Sequence, residues 1–171
     1  MSHHFIEFIL LSLFVGFMIR HVYNLINTEF TVALLKPGFV QNELAIHALI
    51  KPYGLRIREH HLLHFTPEFA SEFYEEHQGK SFYDDLLAYM TSDSVLYLKL
   101  EGKDAIRKWR QILGDTDPAV AEEGTVRSLF GEDKTKNAGH GSDSPASATR
   151  ELFLLRKYMN RKKNSFLYNV Q

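Results

Sequence analysis

The residue best suited to chemistry is His140, which lies between two glycines in Asn137-Ala138-Gly139-His140-Gly141-Ser142-Asp143. An imidazole with a pKa of about 6.5 is partly neutral at physiological pH, so it can attack an electrophilic phosphorus. The small neighbours would let a large ligand approach the ring. Ser142 and Glu151 follow closely enough to hold the ring in one orientation. A hydrogen-bonded core histidine is the alternative, but the Gly-His-Gly setting favours a nucleophile.

Three cations could face a chain of phosphates. Lys36 stands where the first predicted strand ends, Arg110 lies on an amphipathic helix, and Arg127 lies in a long loop. Arginine forks match phosphate oxygens in geometry, and Thr116 and Asn137 add neutral donors. Each cation alone is typical of a solvated surface charge. The prediction of a polyphosphate site therefore depends on the whole set.

Two aromatic residues and a histidine cluster each allow two interpretations. Phe82 and Tyr74 are typical of a hydrophobic core, but a purine or pyrimidine base could stack on either. His60, His61 and His64 suggest a metal site. On a strand, however, His60 and His64 share one face while His61 points away, and no carboxylate pattern accompanies them. A solvated strand face is the favoured interpretation, and no protein-bound metal is predicted.

The composition restricts the class of protein. A chain of 171 residues with 44% hydrophobic residues is long enough for one domain with a real core. Its net charge of -1 gives no global electrostatic case for nucleic-acid binding. The absence of cysteine excludes disulfides, cysteine nucleophiles and thiolate metal sites.

The spacing of apolar residues predicts the elements that position these groups. Predicted strands cover 31–35, 55–65 and 94–100, and a short fourth strand carries His140. Three predicted helices cover 43–50, 82–90 and 105–113. Another starts at Pro67 and places Phe69, Phe73 and His77 on one face. A last helix runs from Pro145 to about Arg156. A long loop covers 115–136. The order predicts an α+β, ferredoxin-like sandwich, in which a four-stranded antiparallel sheet is covered on one face by helices.

The N-terminal segment differs from the rest, because Phe5 to Ile19 is almost wholly apolar and predicts an extra N-terminal helix. It is short for a membrane span of about 20 residues, and it has neither the preceding basic residues nor the cleavage site of a signal peptide. Three interpretations stay open: an anchor or uncleaved signal, a targeting segment, or a helix packed on the domain. The predicted division is a hydrophobic segment at 1–28, the folded domain at 29–158 and a basic polar tail at 159–171.

From Phe30 to about Phe153 the chain resembles the nucleoside diphosphate kinases. The matching motifs are Leu35-Lys36-Pro37-Gly38, Phe73-Tyr74-Glu75-Glu76-His77, Leu113-Gly114-Asp115-Thr116-Asp117-Pro118, Gly124-Thr125-Val126-Arg127 and Asn137-Ala138-Gly139-His140-Gly141-Ser142-Asp143-Ser144. The stretches Gly79-Lys80-Ser81-Phe82-Tyr83 and Ala105-Ile106-Arg107-Lys108-Trp109-Arg110 resemble the divergent branch numbered six among animal paralogues, which is associated with mitochondria.

The resemblance implies a ping-pong kinase in which His140 takes the γ-phosphate of a nucleoside triphosphate and passes it to a nucleoside diphosphate. It also implies that Tyr74 lies near the nucleophile and that Ser142 and Glu151 position it. The nucleotide contacts implied by position are Lys36, Phe82 (stacking on the base), Arg110, Thr116, Arg127 and Asn137. Mg²⁺ would arrive bound to the nucleotide phosphates rather than to protein ligands.

A second function stays open beside the kinase: a weakly active or inactive nucleotide-binding or scaffold module that works with a partner subunit. Expected partners are ATP and other nucleoside di- and triphosphates, and either a second copy of the chain or a related kinase in a hetero-oligomer. Membrane contact through residues 5–19 is a further option. The expected location is mitochondrial or cytoplasmic.

Overall fold

A four-stranded antiparallel sheet forms the centre of the computed structural model, which describes residues 3–26 and 28–168. The strand order is β2-β3-β1-β4. The strands are β1 (Glu29–Leu35), β2 (Arg56–Leu63), β3 (Val95–Gly102) and β4 (Gly139–Gly141). The predicted ferredoxin-like arrangement is therefore confirmed, including the short strand that carries His140.

The helices of the described residues agree with the prediction where the apolar spacing is regular. They are α1 (His3–Ile26), α2 (Glu43–Ile50), α3 (Pro67–Phe73), α4 (Tyr83–Met90), α5 (Ala105–Leu113), α6 (Val126–Phe130) and α7 (Pro145–Tyr168). The bounds of α2 and α5 are as predicted. The long loop contains α6, which the sequence analysis missed, and α7 continues past Arg156 into the segment expected to be an unstructured tail.

Helices cover both faces of the sheet, so the expectation of one covered face was wrong. Val32 and Leu34 of β1 belong to a hydrophobic cluster with α3, α4 and α7. Ala33 and Leu35 of the same strand belong to a second cluster with α2 and α5. A strand with one solvent-exposed face alternates apolar and polar residues, whereas a strand that is buried on both faces is apolar throughout. The continuous apolar run of β1 reflects this second case.

The segment after β2 departs from the predicted single helix. Thr66 caps α3 as expected, since its Oγ1 accepts a hydrogen bond from the Phe69 amide at 3.3 Å. The helix ends at Phe73, and a 3₁₀ turn follows at Glu75–His77. Phe69 and Phe73 therefore lie on one helix face as predicted, but His77 does not belong to that helix.

The histidine cluster of β2 is also arranged differently from the prediction, because the strand ends at Leu63 and leaves His64 outside it. His64 Nε2 lies 3.1 Å from the Ser94 hydroxyl, and His60 Nε2 lies 3.0 Å from a carboxylate oxygen of Glu43. In the part of the chain that the structure describes, no group of three or more His, Cys, Asp or Glu side chains could hold a metal ion.

The N-terminal apolar segment forms α1, as predicted. Its apolar side chains that the structure describes are exposed, and they include Leu11, Leu13, Phe14 and Ile19. Among residues 3–26 and 28–168, no helix has the length and apolar character needed to cross a membrane.

Candidate active site

A cavity of about 440 Å³ opens beside His140 and brings the predicted site residues together. The predicted residues in its lining are Lys36, Tyr74, Phe82, Arg110, Thr116, Arg127, Asn137, His140 and Glu151. Ser142, the remaining predicted residue, is fully buried and contacts Glu151 instead. Residues more than a hundred positions apart in the chain therefore meet at one site.

The glycines on either side of His140 are required by the packing of β4 on α5. A Cβ on Gly139 would lie 2.8 Å from Leu113 Cδ2, and one on Gly141 would lie 2.5 Å from Trp109 Cδ1. The Trp109 indole N–H also donates to the His140 carbonyl at 3.0 Å. Sequence reasoning explained the glycines by ligand access, whereas the structure shows that they allow the strand to lie close to the helix.

A tight turn before β4 separates two site residues. Ala138 has a positive φ of 68°, which is strained for a residue with a Cβ, and the Gly139 amide donates to the Asn137 carbonyl at 2.8 Å across it. The Asn137 amide group donates to the carbonyls of Thr116 and Lys134. Its Oδ1 is buried without a hydrogen-bond partner. The turn thus places Asn137 and His140 in the same cavity.

The carboxylate network, which consists of His140, Ser142 and Glu151, fixes the imidazole. His140 Nε2 lies 3.0 Å from Glu151 Oε1, and the Ser142 hydroxyl donates to Glu151 Oε2 at 2.7 Å. The Val32 amide donates to the Ser142 oxygen at 3.2 Å, which ties the network to β1. Because a carboxylate oxygen only accepts, the imidazole proton is assigned to Nε2. Nδ1 then keeps its lone pair.

The cation wall, which consists of Lys36, Arg110 and Arg127, contributes positive charge to the same cavity. Lys36 is only 6% exposed, and its ammonium donates to the Thr135 carbonyl at 2.9 Å. Burial first, and then repulsion from Arg127, lower the pKa of Lys36 to about 7, while Asp133 opposes the shift. Lys36 therefore loses its proton more readily than an exposed lysine does.

Arg127 is held in the cavity by two backbone carbonyls. Its guanidinium donates to Gly114 at 2.8 Å and to Gly139 at 3.2 Å. Its buried Nε has no hydrogen-bond partner. Burial and repulsion from Arg110 lower the pKa of Arg127 to about 10, and Asp115 acts in the opposite direction. The group stays charged at neutral pH, but its charge lacks a carboxylate partner among its hydrogen bonds.

A series of aromatic rings extends from His140 to Phe82 along the cavity lining. The Tyr74 ring lies edge-on to His140, with 5.8 Å between centroids, and its buried hydroxyl has no partner. Burial, followed by repulsion from Glu151, raises the pKa of the Tyr74 hydroxyl, so it remains a proton donor. Phe82 is 43% exposed, which leaves a ring face available for a base. His77 lies between the two, 6.0 Å from Tyr74 and 5.6 Å from Phe82.

Sequence reasoning gave no role to several residues that line the cavity. They are Glu76, His77, Leu86, Lys134, Thr135 and Asp143. Burial, and then the neighbouring Lys80, lower the pKa of His77. His77 lies in a motif that was recognised, three residues after Tyr74. That spacing was the one signal that could have drawn attention to it.

The arrangement combines an oriented imidazole with two cations, Lys36 and Arg127, whose hydrogen bonds end on backbone carbonyls rather than on carboxylates. A neutral imidazole attacks phosphorus, and a cavity lined with cations stabilises the charge on the phosphate oxygens. The fold and the site together fit a phosphotransferase on a ferredoxin-like sandwich, with His140 among the residues that line its cavity.

The family follows from comparison with known proteins. The profile described as "Nucleoside diphosphate kinase" matches residues 29–159. The chain is 39% identical over 126 residues to a nucleoside diphosphate kinase of Sorangium cellulosum, an alignment that covers 72% of this chain and 88% of that protein. The nucleoside diphosphate kinase of Pasteurella multocida is 44% identical over 126 residues, covering 72% and 91%. The chain belongs to the nucleoside diphosphate kinase family.

Solved structures agree. An Aquifex aeolicus nucleoside diphosphate kinase superposes with a TM-score of 0.70 at 37% identity, covering 75% of this chain and 94% of that one. The Halobacterium salinarum enzyme, solved in complex with CDP, also gives a TM-score of 0.70, at 36% identity, with 74% and 86% covered.

Proposed function

We propose that this chain moves the γ-phosphate of a nucleoside triphosphate to a nucleoside diphosphate through a phosphohistidine at His140. Membership of the nucleoside diphosphate kinase family makes the chain a phosphotransferase. The observation that carries the residue assignment is the 3.0 Å contact between His140 Nε2 and Glu151. That contact uses Nε2 and leaves Nδ1 as the nitrogen with a lone pair.

The reaction consists of two displacements of the same kind. The Nδ1 lone pair attacks the γ-phosphorus, the bond from that phosphorus to the β,γ-bridging oxygen breaks, and the departing diphosphate keeps the electron pair. A terminal oxygen of a second diphosphate then attacks the phosphohistidine, and the imidazole recovers its lone pair. Phosphoryl transfer needs chiefly positioning and charge neutralisation. The carboxylate network would supply the first, and Lys36, Arg110 and Arg127 would supply the second.

Thr116, Asn137 and Phe82 would complete nucleotide binding. Thr116 and Asn137 line the cavity with neutral polar groups, and the unpaired Asn137 Oδ1 is available to accept a bond from a ribose hydroxyl. Phe82 would stack on the base. Because stacking tolerates any base, the proposed enzyme accepts purine and pyrimidine nucleotides.

Mg²⁺ fits this site as a companion of the phosphates. The lining includes the carboxylates Glu76 and Asp143, which suit the water shell of a magnesium ion. The ion would neutralise phosphate charge when it is bound, and the chain's own cations would orient the phosphates.

Two-substrate kinetics test the proposal. Rates measured against ATP at several fixed concentrations of a second diphosphate should give parallel double-reciprocal lines, because the first product leaves before the second substrate binds. Intersecting lines would contradict a ping-pong route. Nucleotide binding without transfer, with His140 intact, would instead support the scaffold module.

We further propose that the chain belongs to the divergent branch numbered six. Support comes from residues 79–83 and 105–110, which resemble that branch. A tree of the family in which these stretches group with another branch would contradict the assignment.

We propose a homo-oligomer formed through the β2 edge of the sheet. Within the described residues β2 pairs with β3 alone, so its other edge offers free backbone groups. Leu62 on that strand is 60% exposed and Leu44 on α2 is 84% exposed. Light scattering should show an assembly that Leu62→Lys weakens. Assembly only after a related kinase is added would favour the hetero-oligomer.

We propose that the segment 1–28 sets the location, mitochondrial or cytoplasmic, and contacts a membrane through residues 5–19. The exposed apolar side chains of α1 support this. The division into 1–28, 29–158 and 159–171 stays a prediction. Cell fractionation tests the location and the membrane contact. N-terminal sequencing of the native protein shows whether segment 1–28 is retained. A full-length chain recovered wholly in the soluble fraction would contradict membrane contact.

A further inference from the structure

Arg150 has no role in the reaction described so far, but its contacts lead to the nucleophile. It precedes Glu151 on α7, and its guanidinium reaches the C-terminal end of α3. It donates to the Phe73 carbonyl at 2.9 Å and to the Glu72 carbonyl at 3.3 Å. It also lies 3.4 Å from a carboxylate oxygen of Glu75. Carbonyls in the last turn of a helix lack partners inside the helix, so Arg150 supplies donors that α3 cannot.

The backbone held by Arg150 carries the two rings that pack on His140. The Phe73 ring centroid lies 5.4 Å from that of His140, and the Tyr74 centroid lies 5.8 Å away. The Tyr74 hydroxyl has no hydrogen bond. The position of Tyr74 therefore depends on its backbone and on packing, and Arg150 fixes that backbone.

We infer that Arg150 is a positioning residue for phosphoryl transfer, which deepens the proposed function and rests on it. Two successive residues of α7 hold the nucleophile by separate routes. Glu151 binds the imidazole at Nε2, and Arg150 fixes the end of α3 so that Phe73 and Tyr74 confine the ring. The planar guanidinium suits this role because two of its nitrogens donate to two successive carbonyls, which one ammonium group does less well.

Lys157 provides a matched control on the same helix. Its ammonium lies 2.9 Å from Glu72 Oε1, so it also ties α7 to α3. That contact ends on a side chain, whereas the hydrogen bonds of Arg150 to the Glu72 and Phe73 carbonyls end on the backbone before Tyr74. If Arg150 merely joined the two helices, Arg150→Ala and Lys157→Ala should act alike.

The test measures phosphorylation of His140 in a single turnover, together with kcat, KM, nucleotide Kd and Tm. In Arg150→Ala the phosphorylation rate and kcat should fall by about 10- to 100-fold, the scale expected for a small misplacement of reacting groups. The nucleotide Kd should stay within about twofold, because Arg150 does not line the cavity. Lys157→Ala should keep the wild-type rate, and Arg150→Lys should recover part of the loss.

A double mutant identifies the route. If Arg150 acts through Tyr74, Arg150→Ala combined with Tyr74→Ala should lower the rate by less than the product of the two single effects. Multiplicative effects, a wild-type rate in folded Arg150→Ala or Arg150→Lys, or an equal loss in Lys157→Ala would overturn the inference. Failure of the proposed function looks different, because the wild-type chain itself would then form no phosphohistidine.

Discussion

The carboxylate network and the cation wall surround the same cavity, but their hydrogen bonds are completed to different degrees. In the network, both oxygens of Glu151 have partners, and Ser142 is bonded to β1 as well. Within the described residues, the buried side-chain nitrogen and oxygen atoms without partners are Tyr74 Oη, Arg127 Nε and Asn137 Oδ1. All three residues line the cavity. Folding alone completes the hydrogen bonds that orient His140, whereas the three unpartnered groups belong to residues that line the cavity and are available to a ligand.

The cation wall also differs from the carboxylate network in how its charges are compensated. Lys36 is buried and Arg127 is half-buried, both lie beside other cations, and the pKa values of both are lowered. Buried polar groups normally find partners, and exceptions concentrate at functional sites. The strain at Ala138 lies in the same region. The cation wall is thus a destabilised part of the fold that the phosphates of a nucleotide would stabilise.

The largest effect should come from breaking the network. Glu151→Gln keeps the shape but removes the carboxylate, so one amide hydrogen must face a donor. We expect His140 phosphorylation to slow by roughly 10²- to 10⁴-fold, as when a carboxylate that orients a catalytic histidine is replaced by an amide. Rapid-quench measurement checks this. Glu123→Gln, at an exposed carboxylate outside the cavity lining, should leave the rate unchanged. An equal loss in both variants would contradict a special role for the carboxylate network.

Replacing a cation should separate activity from stability. Lys36→Met should lower kcat by about 10²- to 10³-fold, because it removes a positive charge that would stabilise the negative charge developing on the phosphate oxygens. The lowered pKa means that protonated Lys36 disfavours the folded state, so stability is lost as pH falls from about 10.5 towards 7.

The same variant should therefore be more stable than wild type at pH 7, by roughly 1–3 kcal/mol. Denaturant melts at pH 7 and pH 10 measure this, and the gain should shrink at the higher pH. Lys51→Met, at an exposed lysine, should show no gain. A Lys36→Met protein that is less stable than wild type at pH 7 would show that the charge of Lys36 does not destabilise the folded state.

Nucleotide binding should be coupled to protonation of Lys36. At pH 8 a lysine with a pKa of about 7 is mostly neutral, and an arriving phosphate favours its charged form. Binding of a diphosphate should therefore take up roughly half to one proton. Calorimetry in buffers of different ionisation enthalpy measures the uptake, which Lys36→Met should abolish. Uptake that persists in the variant would assign the proton to another group.

The smallest effect should come from the Tyr74 hydroxyl. Tyr74→Phe removes a buried group without a partner, so the free protein should gain about 1 kcal/mol of stability. The transfer rate should fall by less than about tenfold, because the ring that packs on His140 remains. Thermal melts and single-turnover rates check both. A loss of stability would indicate that the hydroxyl is bonded in the free protein.

The sequence predicted those parts of the molecule that depend on local pattern. The bounds of α2 and α5 follow from regular apolar spacing, and β4 follows from its motif. The five residues of α6 are too few to show periodicity. Cover on both sheet faces depends on packing between distant segments, so one strand does not reveal it.

The site was predictable where motifs were recognised and unpredictable where contacts cross the fold. Lys36, Arg127 and Asn137 meet at the cavity as expected. The packing reason for the flanking glycines was missed because it depends on Trp109 and Leu113 of α5. Arg150 meets Phe73 across a separation of 77 positions. Nothing in the spacing along the chain marks such a pair.

Labelling of His140 tests the central claim most directly. The full-length chain is incubated with γ-labelled ATP and Mg²⁺, digested and mapped. The account predicts one acid-labile, base-stable phosphoryl group at His140, which disappears when an unlabelled diphosphate is added and reappears on the new triphosphate. His140→Ala should take up no label. Absence of label in the wild-type chain, or label that persists in His140→Ala, would contradict the claim that His140 carries the phosphate.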